Sequence, residues 1–255
     1  MSVAELKTTG TRIEDDPYYE ERVDLAAAFR MAARHNMHEA VANHFSLAVS
    51  DDGSKFLMNP CGRHFSRVRA SELLLLDAND PTTMDQPNAP DPTAWCIHSS
   101  LHRNSPQARC LLHTHSKYAL ALSCLKDPAM LSIDQNTARY HGRIAYDDGF
   151  DGMGLGDEGE RLGTLLGNKA VMMMGNHGVL MTASAVGHAF DELYYFEKAC
   201  ETLVTAYSTG KELSVLSDEI AEKTAQQWQS YPGLWENHWN ALKEILDEEE
   251  PDNRT

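Results

Sequence analysis

Apolar residues alternate along the chain between helical spacing and short runs that are typical of buried strands. Between Asp16 and His35 they recur at helical spacing, and Asp16-Pro17 offers an N-cap acceptor followed by a proline at the first helical position. The segments 45–49 and 55–58 flank Asp51-Asp-Gly53, a hairpin signal. In the rest of the chain the pattern predicts strands over 71–77, just before 116, over 143–146 and over 170–174, and a loop over 79–93. It predicts helices over 92–103, 116–125, 157–168 and 184–209, and one or two more within 214–246.

This mixture of helices and strands indicates one large α/β domain or two small ones. The 255 residues are 42% apolar, which is enough for a substantial core. Residues 1–15 are polar and acidic and are expected to form a flexible N-terminal arm. The acidic end, 247–255, is expected to fray.

Composition narrows the classes of function. A formal net charge of −16 argues against DNA, RNA or an anionic membrane surface as a partner. The first residues lack the apolar segment of a signal peptide, and no apolar run approaches the ~18 residues of a transmembrane helix. Five scattered cysteines form no Cys-x-x-Cys motif, which fits a reducing cytoplasm. We therefore expect a cytoplasmic protein.

Histidines at two distant places carry the strongest chemical signal. His113 and His115 follow the apolar run Cys110-Leu-Leu, and side chains two apart in an extended chain face the same way. A transition metal needs neutral nitrogens that converge from one side, and this spacing supplies two. His177, between an asparagine and a glycine after the strand at 170–174, is the natural third ligand.

The alternative is that these are ordinary imidazoles. The chain has 12 histidines, so close pairs arise by chance, and a single His-x-His is often only exposed or hydrogen-bonded. Glycines on both sides of the Asn176-His177 pair leave little bulk around the third imidazole. This favours a metal site.

Five segments together carry a family resemblance. They are Asn59-Pro-Cys-Gly-Arg63, Trp95-Cys-Ile-His98, Cys110-Leu-Leu-His-Thr-His115, Gly175-Asn-His-Gly-Val179 and the helix 185–193. In this order they resemble the class II aldolase/adducin N-terminal-domain family, over about residues 20–210. The predicted organisation is an arm over 1–15, this domain over 16–210, and a helical extension with an acidic tail over 211–255.

The resemblance implies a three-layer α/β/α sandwich with a central, largely antiparallel sheet. It also implies one divalent metal ion on His113, His115 and His177. Zinc is expected first, and manganese, iron or cobalt also suit imidazole ligands. Family enzymes are commonly cyclic tetramers, so the resemblance implies a homotetramer that acts on a small molecule.

The chain also departs from the aldolase pattern. Aldolases place a catalytic glutamate directly before the tryptophan that matches Trp95, and here that residue is Ala94. The phosphate-holding segments differ as well, at Asn43-His44-Phe45-Ser46 and at Pro92-Thr93. These departures resemble the adducin-like branch, although the chain ends in acidic residues rather than a lysine-rich tail.

Candidate catalytic and substrate-binding residues follow from the same comparison. His44 is the first candidate for moving the proton, because imidazole titrates near neutral pH. The alternative is a structural hydrogen bond to a backbone carbonyl. Tyr140 lies where aldolases keep a catalytic tyrosine, although a packed or exposed tyrosine is the commoner case. Asn43, Ser46 and Gly62 are the candidate substrate-binding residues.

Three functions fit this sequence. The first is a metal-dependent carbon–carbon lyase, an aldolase or a decarboxylase, which stabilises an enediolate of a small hydroxy-carbonyl or carboxylated substrate. The second is an adducin-like binding or scaffold protein without catalysis. The third is a sugar-phosphate epimerase that works through the same retro-aldol chemistry. A decarboxylase tolerates Ala94 best, because carbon dioxide leaves without needing a base.

Overall fold

The structure is a computed structural model that describes residues 12–80, 82–86, 88–105, 108–150, 152–153, 155–156 and 158–255. Seven strands lie in one sheet: β1 His44–Ala48, β2 Lys55–Met58, β3 Leu74–Asp77, β4 Cys110–Thr114, β5 Ile144–Asp147, β6 Val171–Met174 and β7 Gly178–Ala183. The α-helices are α1 Tyr19–Arg34, α2 Pro92–Asn104, α3 Lys117–Ser123, α4 Gln135–Ala138, α5 Glu158–Leu166, α6 Val186–Ser208, α7 Asp218–Ser230 and α8 Leu234–Glu249.

The strand order is β3-β2-β1-β4-β7-β6-β5. Five of the neighbouring pairs are antiparallel, and β5 runs parallel to β6. The predicted largely antiparallel sheet is therefore confirmed. β4 occupies the centre, paired with β1 through His44 and His113 and with β7 through His113 and Leu180.

Helices cover both faces of the sheet, because the central strands are apolar on both sides. In β4, Cys110 and Leu112 pack on one face with α1, α6 and α8. Leu111 packs on the opposite face with Ile97 and Leu101 of α2. Burial on both faces requires a helical layer on each side. The predicted three-layer α/β/α fold is confirmed.

Local signals account for most of the element boundaries. The predicted start of α1 is two residues too early, because the helix begins at Tyr19 with Tyr18 as its N-cap, and the Asp16 carboxylate instead accepts a hydrogen bond from the Tyr18 N–H. At the start of α2, Asp91 is the N-cap and accepts from two backbone N–H groups, with Pro92 at the first helical position. The strand predicted over 71–77 begins only at Leu74, after a 3₁₀ turn over Ala70–Glu72. The sequence pattern missed β7 and α4.

The C-terminal end does not fray, so that prediction is wrong. After α8, a 3₁₀ turn over Pro251–Arg254 packs against α1. Arg30, only 3% exposed, donates to the carboxylates of Glu250 and Asp252, and the Ser71 N–H donates to the Thr255 carbonyl. Ion pairs between residues far apart in the sequence, which local sequence patterns do not predict, hold the C-terminal turn in place. Of the predicted arm over 1–15, residues 1–11 lie outside the described residues.

Candidate metal centre

The end of β4 presents two imidazoles next to each other. His113 lies on the face of β4 that packs toward α2 and is 1% exposed. His115 follows the last strand residue and keeps 17% of its side chain exposed. The period-two alternation of an extended chain therefore continues one residue beyond the strand and brings both rings to one side. Their Nε2 atoms are 3.1 Å apart.

The turn between β6 and β7 brings in the third imidazole. Met174 pairs with Gly178, and Asn176 has a φ of 56°. Gly178 has a φ of 151°, and a Cβ there would lie 2.5 Å from the Thr114 carbonyl oxygen. Only glycine allows the start of β7 to lie this close to the end of β4. This close approach sets His177 beside His113, with ring centroids 4.8 Å apart.

The hydrogen-bond partners of His113 and His115 indicate which ring nitrogen of each carries a hydrogen. His113 Nδ1 lies 3.1 Å from the Val179 carbonyl oxygen, which can only accept, so Nδ1 donates. His115 Nδ1 donates to the Glu39 carboxylate, 2.6 Å away. In the neutral rings, both Nε2 atoms then carry lone pairs that face each other at 3.1 Å. Two nitrogens in this arrangement can both turn a lone pair toward one cation.

This donor set fits a divalent metal ion. Tetrahedral zinc, with Zn–N distances near 2.1 Å, separates its ligand nitrogens by about 3.4 Å. One nitrogen from each of His113, His115 and His177 lies within 4.8 Å of the others. Burial lowers the pKa of His177, and burial together with His44, His177 and His115 holds the pKa of His113 well below its usual value. Both imidazoles are therefore neutral, as metal ligands must be.

Two acidic residues that the sequence pattern did not indicate support this centre. Glu39 comes from the loop between α1 and β1 and orients the His115 ring, as carboxylates commonly do for metal-bound histidines. Glu197 of α6 accepts hydrogen bonds from the Ser116 hydroxyl and from the N–H groups of Tyr118 and Ala119. Its carboxylate thereby anchors the chain directly after His115. Neither contact has a local sequence signal, since both partners are at least 76 residues away.

His44 lies beside His113 and is buried. Its ring stacks on that of His113, with centroids 4.7 Å apart, and its Nδ1 is 2.7 Å from His98 Nε2. The His44 ring therefore has a histidine partner, and a backbone hydrogen bond also acts on it.

Ser46 does not lie at an open substrate site, so its predicted contact with substrate is corrected. The side chain is 0% exposed, and its hydroxyl bonds both His98 and His102 of α2. The side chain faces α2 because it lies two residues from His44 on β1, and it is covered by that helix.

Tyr140, the second catalytic candidate, is also placed as a core residue. It is 1% exposed, donates its hydroxyl to the Glu192 carbonyl and packs edge-on against Phe196 of α6. The physical reason is that the turn after α4 folds against α6. These contacts hold the hydroxyl against the helix backbone, so Tyr140 is a structural residue of the core.

The remaining candidate residues differ in how accessible they are to a substrate. The Asn43 side chain is buried, its Oδ1 accepts from the Glu39 N–H, and its Nδ2 has no hydrogen-bond partner. Gly62 lies in an exposed turn with a φ of 74° and open space around its Cα. Ala94 is 2% exposed and packs in an apolar cluster with Phe56, so no proton carrier stands at that position.

The chain belongs by sequence to a known family. The class II aldolase and adducin N-terminal domain matches residues 23–204. A protein of Pseudomonas aeruginosa described as an aldolase class 2 protein is 31% identical over 239 residues, covering 91% of each chain. The crystal structure of an aldolase II superfamily protein from Pseudomonas syringae superposes with a TM-score of 0.83 at 35% identity, covering 93% of this chain and 96% of that one.

More distant relatives carry different names. One is the decarboxylase NovR of Streptomyces niveus, 24% identical over 93% of this chain and 89% of that protein. Another is human beta-adducin, 26% identical over 89% of this chain but 33% of the adducin. Among the described residues, none of the helices combines the length and apolar character needed to cross a bilayer. This protein is a member of the class II aldolase and adducin N-terminal domain family.

Proposed function

We propose that this protein is a metal-dependent carbon–carbon lyase that cleaves a small hydroxy-carbonyl or carboxylated substrate by an aldolase- or decarboxylase-type reaction. The observation that carries the proposal is the convergence of His113, His115 and His177, with the Nε2 atoms of the first two 3.1 Å apart and one nitrogen of each ring within 4.8 Å of the others. A relative named as a decarboxylase supports the same reaction class.

The bound ion, zinc first, would supply Lewis-acid polarisation of a substrate carbonyl oxygen. The chain's own residues supply the rest. Glu39 holds the His115 ring in place from outside, and the Val179 carbonyl does the same for His113. Asn43 offers a buried Nδ2 donor without a partner, which suits a substrate oxygen.

Proton transfer falls to His44 in this proposal. Its ring stacks on His113, and Ala94 supplies no carboxylate. Decarboxylation fits this arrangement better than aldol cleavage. A departing carbon dioxide needs no base, and a single proton delivered to the remaining carbon completes the reaction.

The test is elemental analysis of protein purified without an affinity tag or added metal. The same sample is assayed against hydroxy-oxo acids and against free and phosphorylated sugars, with and without chelator. We expect close to one zinc or manganese per chain and chelator-sensitive release of carbon dioxide or an aldehyde. A protein without bound metal and without turnover would overturn the proposal.

A binding role is the second candidate, because the chain matches the head region of beta-adducin and lacks the aldolase glutamate at Ala94. Stoichiometric metal with no turnover on the whole panel would favour it. An epimerase would instead interconvert two sugar phosphates without releasing a fragment, which the same assays distinguish.

We further propose a homotetramer, as the family resemblance implies. Phe150, whose ring centroid lies 6.3 Å from that of His177, and Met153 are 51% and 77% exposed, as expected of apolar side chains that meet another subunit. Sedimentation velocity would show a species of four chains. A monomer at micromolar concentration would contradict this assembly.

A further inference from the structure

A cavity of about 420 Å³ lies between α6 and the corner that joins α7 to α8. Arg139 and Arg143, which follow α4, line it together with Asp191 and Glu192 of α6. β7 begins beside His177 and ends shortly before α6 begins, so the cavity lies at the other end of β7 from the metal histidines. It is therefore a separate site from the candidate metal centre.

The two buried carboxylates beside this cavity already have donors. Asp191 accepts from Arg139 Nη2 at 2.6 Å through Oδ2 and from His238 Nδ1 at 2.7 Å through Oδ1. Glu192 Oε1 lies 2.8 Å from Arg143 Nη2 and 3.2 Å from Arg139 Nη2, and its Oε2 accepts from Arg143 Nη1 at 3.3 Å. Each of the four carboxylate oxygens is thus bonded.

One donor group is left over. Arg139 is 4% exposed, and its Nη1, closed off from bulk water, has no hydrogen-bond partner among the residues that the structure describes. The guanidinium carbon lies 4.9 and 5.1 Å from the ring centroids of Tyr195 and Trp228, and a ring face is a weaker partner than an oxygen.

The missing partner of Arg139 is an acceptor. Nη1 carries two hydrogens, and a buried donor of a charged group without an acceptor is unfavourable. Glu236 also lines the cavity, but it is exposed and forms no ion pair with Arg139 within the described part of the chain. An acceptor oxygen brought by a ligand would complete the hydrogen bonding of the guanidinium.

A second cavity, of about 310 Å³, adjoins the first and has a largely apolar lining. The two cavities share Trp228, Tyr231 and Leu234 as lining residues. Tyr231 is 65% exposed, so it has little packing to lose when it moves aside for a ligand. A molecule that fills both cavities needs an acceptor at one end and an apolar body at the other.

We propose that the two cavities form a binding site for a small amphiphilic carboxylate. Its carboxylate bonds Arg139 Nη1, and its apolar body packs against Trp228, Tyr231 and Leu234. A water molecule would satisfy Nη1 but leave the apolar wall uncovered. A phosphate dianion would bring a second negative charge toward the buried carboxylates, which a carboxylate does not. This site needs neither the metal ion nor the proposed lyase reaction.

The first test is calorimetric titration of the protein as purified with 3-phenylpropionate, and with 3-phenylpropanol as the neutral match. We expect saturable binding of one carboxylate per chain, with a Kd of about 1 mM or tighter, and binding of the alcohol about tenfold weaker. Equal affinity for the two compounds, or no saturable binding of 3-phenylpropionate, would overturn the inference.

Two variants locate the bound carboxylate. Arg139→Lys keeps the charge and a bond to Asp191 but has no second branch for the ligand, so affinity should fall about tenfold. Tyr231→Ala, at an exposed position where loss of the fold is not expected, should weaken binding roughly threefold. Arg22→Lys is the control, at an arginine that is 7% exposed and lies outside both cavities. Unchanged affinity in Arg139→Lys and Tyr231→Ala would place the ligand elsewhere and reject this site.

A carboxylate also binds metal ions, so a third titration separates this site from the metal centre. The double variant His113→Ala/His115→Ala should bind 3-phenylpropionate as tightly as the unmodified protein does. Loss of binding in this variant would assign the carboxylate to the metal centre and overturn the inference. If the lyase proposal fails, through absence of metal and turnover, the expected titrations remain the same.

Discussion

Two groups of imidazoles share one face of the sheet and differ in how their nitrogens are satisfied. In the candidate metal group of His113, His115 and His177, the first two rings use Nδ1 to bond the surrounding protein, and their Nε2 atoms lie 3.1 Å apart. In the hydrogen-bonded chain of His44, His98 and His102, every link between side chains has a donor matched to an acceptor. The stacked rings of His44 and His113 are the boundary between them.

The number and proximity of histidines do not distinguish these two groups. They differ in what each ring nitrogen that faces away from its group is hydrogen-bonded to. A group whose nitrogens satisfy one another needs no ion. In the candidate metal group, the outer nitrogens of His113 and His115 have acceptors, which leaves their Nε2 atoms for a metal ion.

The largest effect is expected from removing the metal group itself. In the double variant His113→Ala/His115→Ala, two of three ligands are lost, so stoichiometric metal should disappear by elemental analysis while far-UV circular dichroism changes little. One metal per chain retained in this variant would show that the ion lies elsewhere. The comparison variant is His64→Ala, at an exposed histidine outside the metal group, which should keep its metal.

Closing the space at Gly178 should have the next largest effect. In Gly178→Ala the new Cβ meets the Thr114 carbonyl oxygen and the His115 ring at a backbone conformation that alanine rarely adopts. We expect a loss of roughly 2–4 kcal/mol in the free energy of unfolding together with weaker metal binding. Gly163→Ala is the control, since its Cβ meets only Leu101 at 3.5 Å within a helix. Equal stability of the two variants in urea would contradict the close approach of β7 and β4.

Removing the charge on Glu39 should act on the metal group alone. Glu39→Gln keeps an acceptor for His115 Nδ1 but no negative charge, so metal affinity should fall about 10- to 100-fold. Competition with a chromophoric chelator measures this change, and stability of the metal-free protein should be nearly constant. Glu222→Gln, at an exposed glutamate of α7 that bonds Gln226, serves as the control. An unchanged affinity in Glu39→Gln would mean that this carboxylate does not support the ligand.

The smallest effect is a dependence of stability on pH that belongs to the hydrogen-bonded chain. His98 and His102 stay neutral in the folded protein because burial lowers their pKa, whereas in the unfolded chain they protonate near pH 6.5. Their contribution to stability is therefore present above pH 6.5 and is lost as the pH falls below it. Each should cost about 1 kcal/mol between pH 7 and 5.5, measured by urea unfolding.

A variant assigns this pH dependence to a residue. In His102→Gln, one titrating group is gone, so the loss of stability between pH 7 and 5.5 should shrink by about 1 kcal/mol. The same pH dependence in this variant and in the unmodified protein would show that other groups cause it.

The sequence predicted the parts of the site that depend on local geometry. The alternation of an extended chain was sufficient to pair His113 with His115, and glycines marked the turn at His177. The supporting carboxylates of Glu39 and Glu197 were missed, because tertiary packing alone brings them 76 and 79 residues across the sequence. The sequence pattern does not indicate which distant carboxylate will contact which part of the site.

Burial explains the two misplaced candidates. Ser46 and Tyr140 were singled out by position in the family pattern, yet the first is enclosed by α2 and the second by α6. In the fold, the strand β7 went unnoticed because its apolar run, Gly178–Ala183, lies between a turn and a long helix and lacks alternation. A strand buried on both faces carries no period-two signal.

The ion pairs between Arg30 of α1 and the last turn of the chain have a consequence for synthesis on the ribosome. Arg30 is almost fully buried, and its carboxylate partners lie 220 and 222 residues further along the chain. At 5–20 residues per second, roughly 10–45 s pass between the appearance of the arginine and that of its partners. During this interval the guanidinium lacks both carboxylates, so the ion pairs that hold the last turn on α1 form only after residues 250 and 252 have been added.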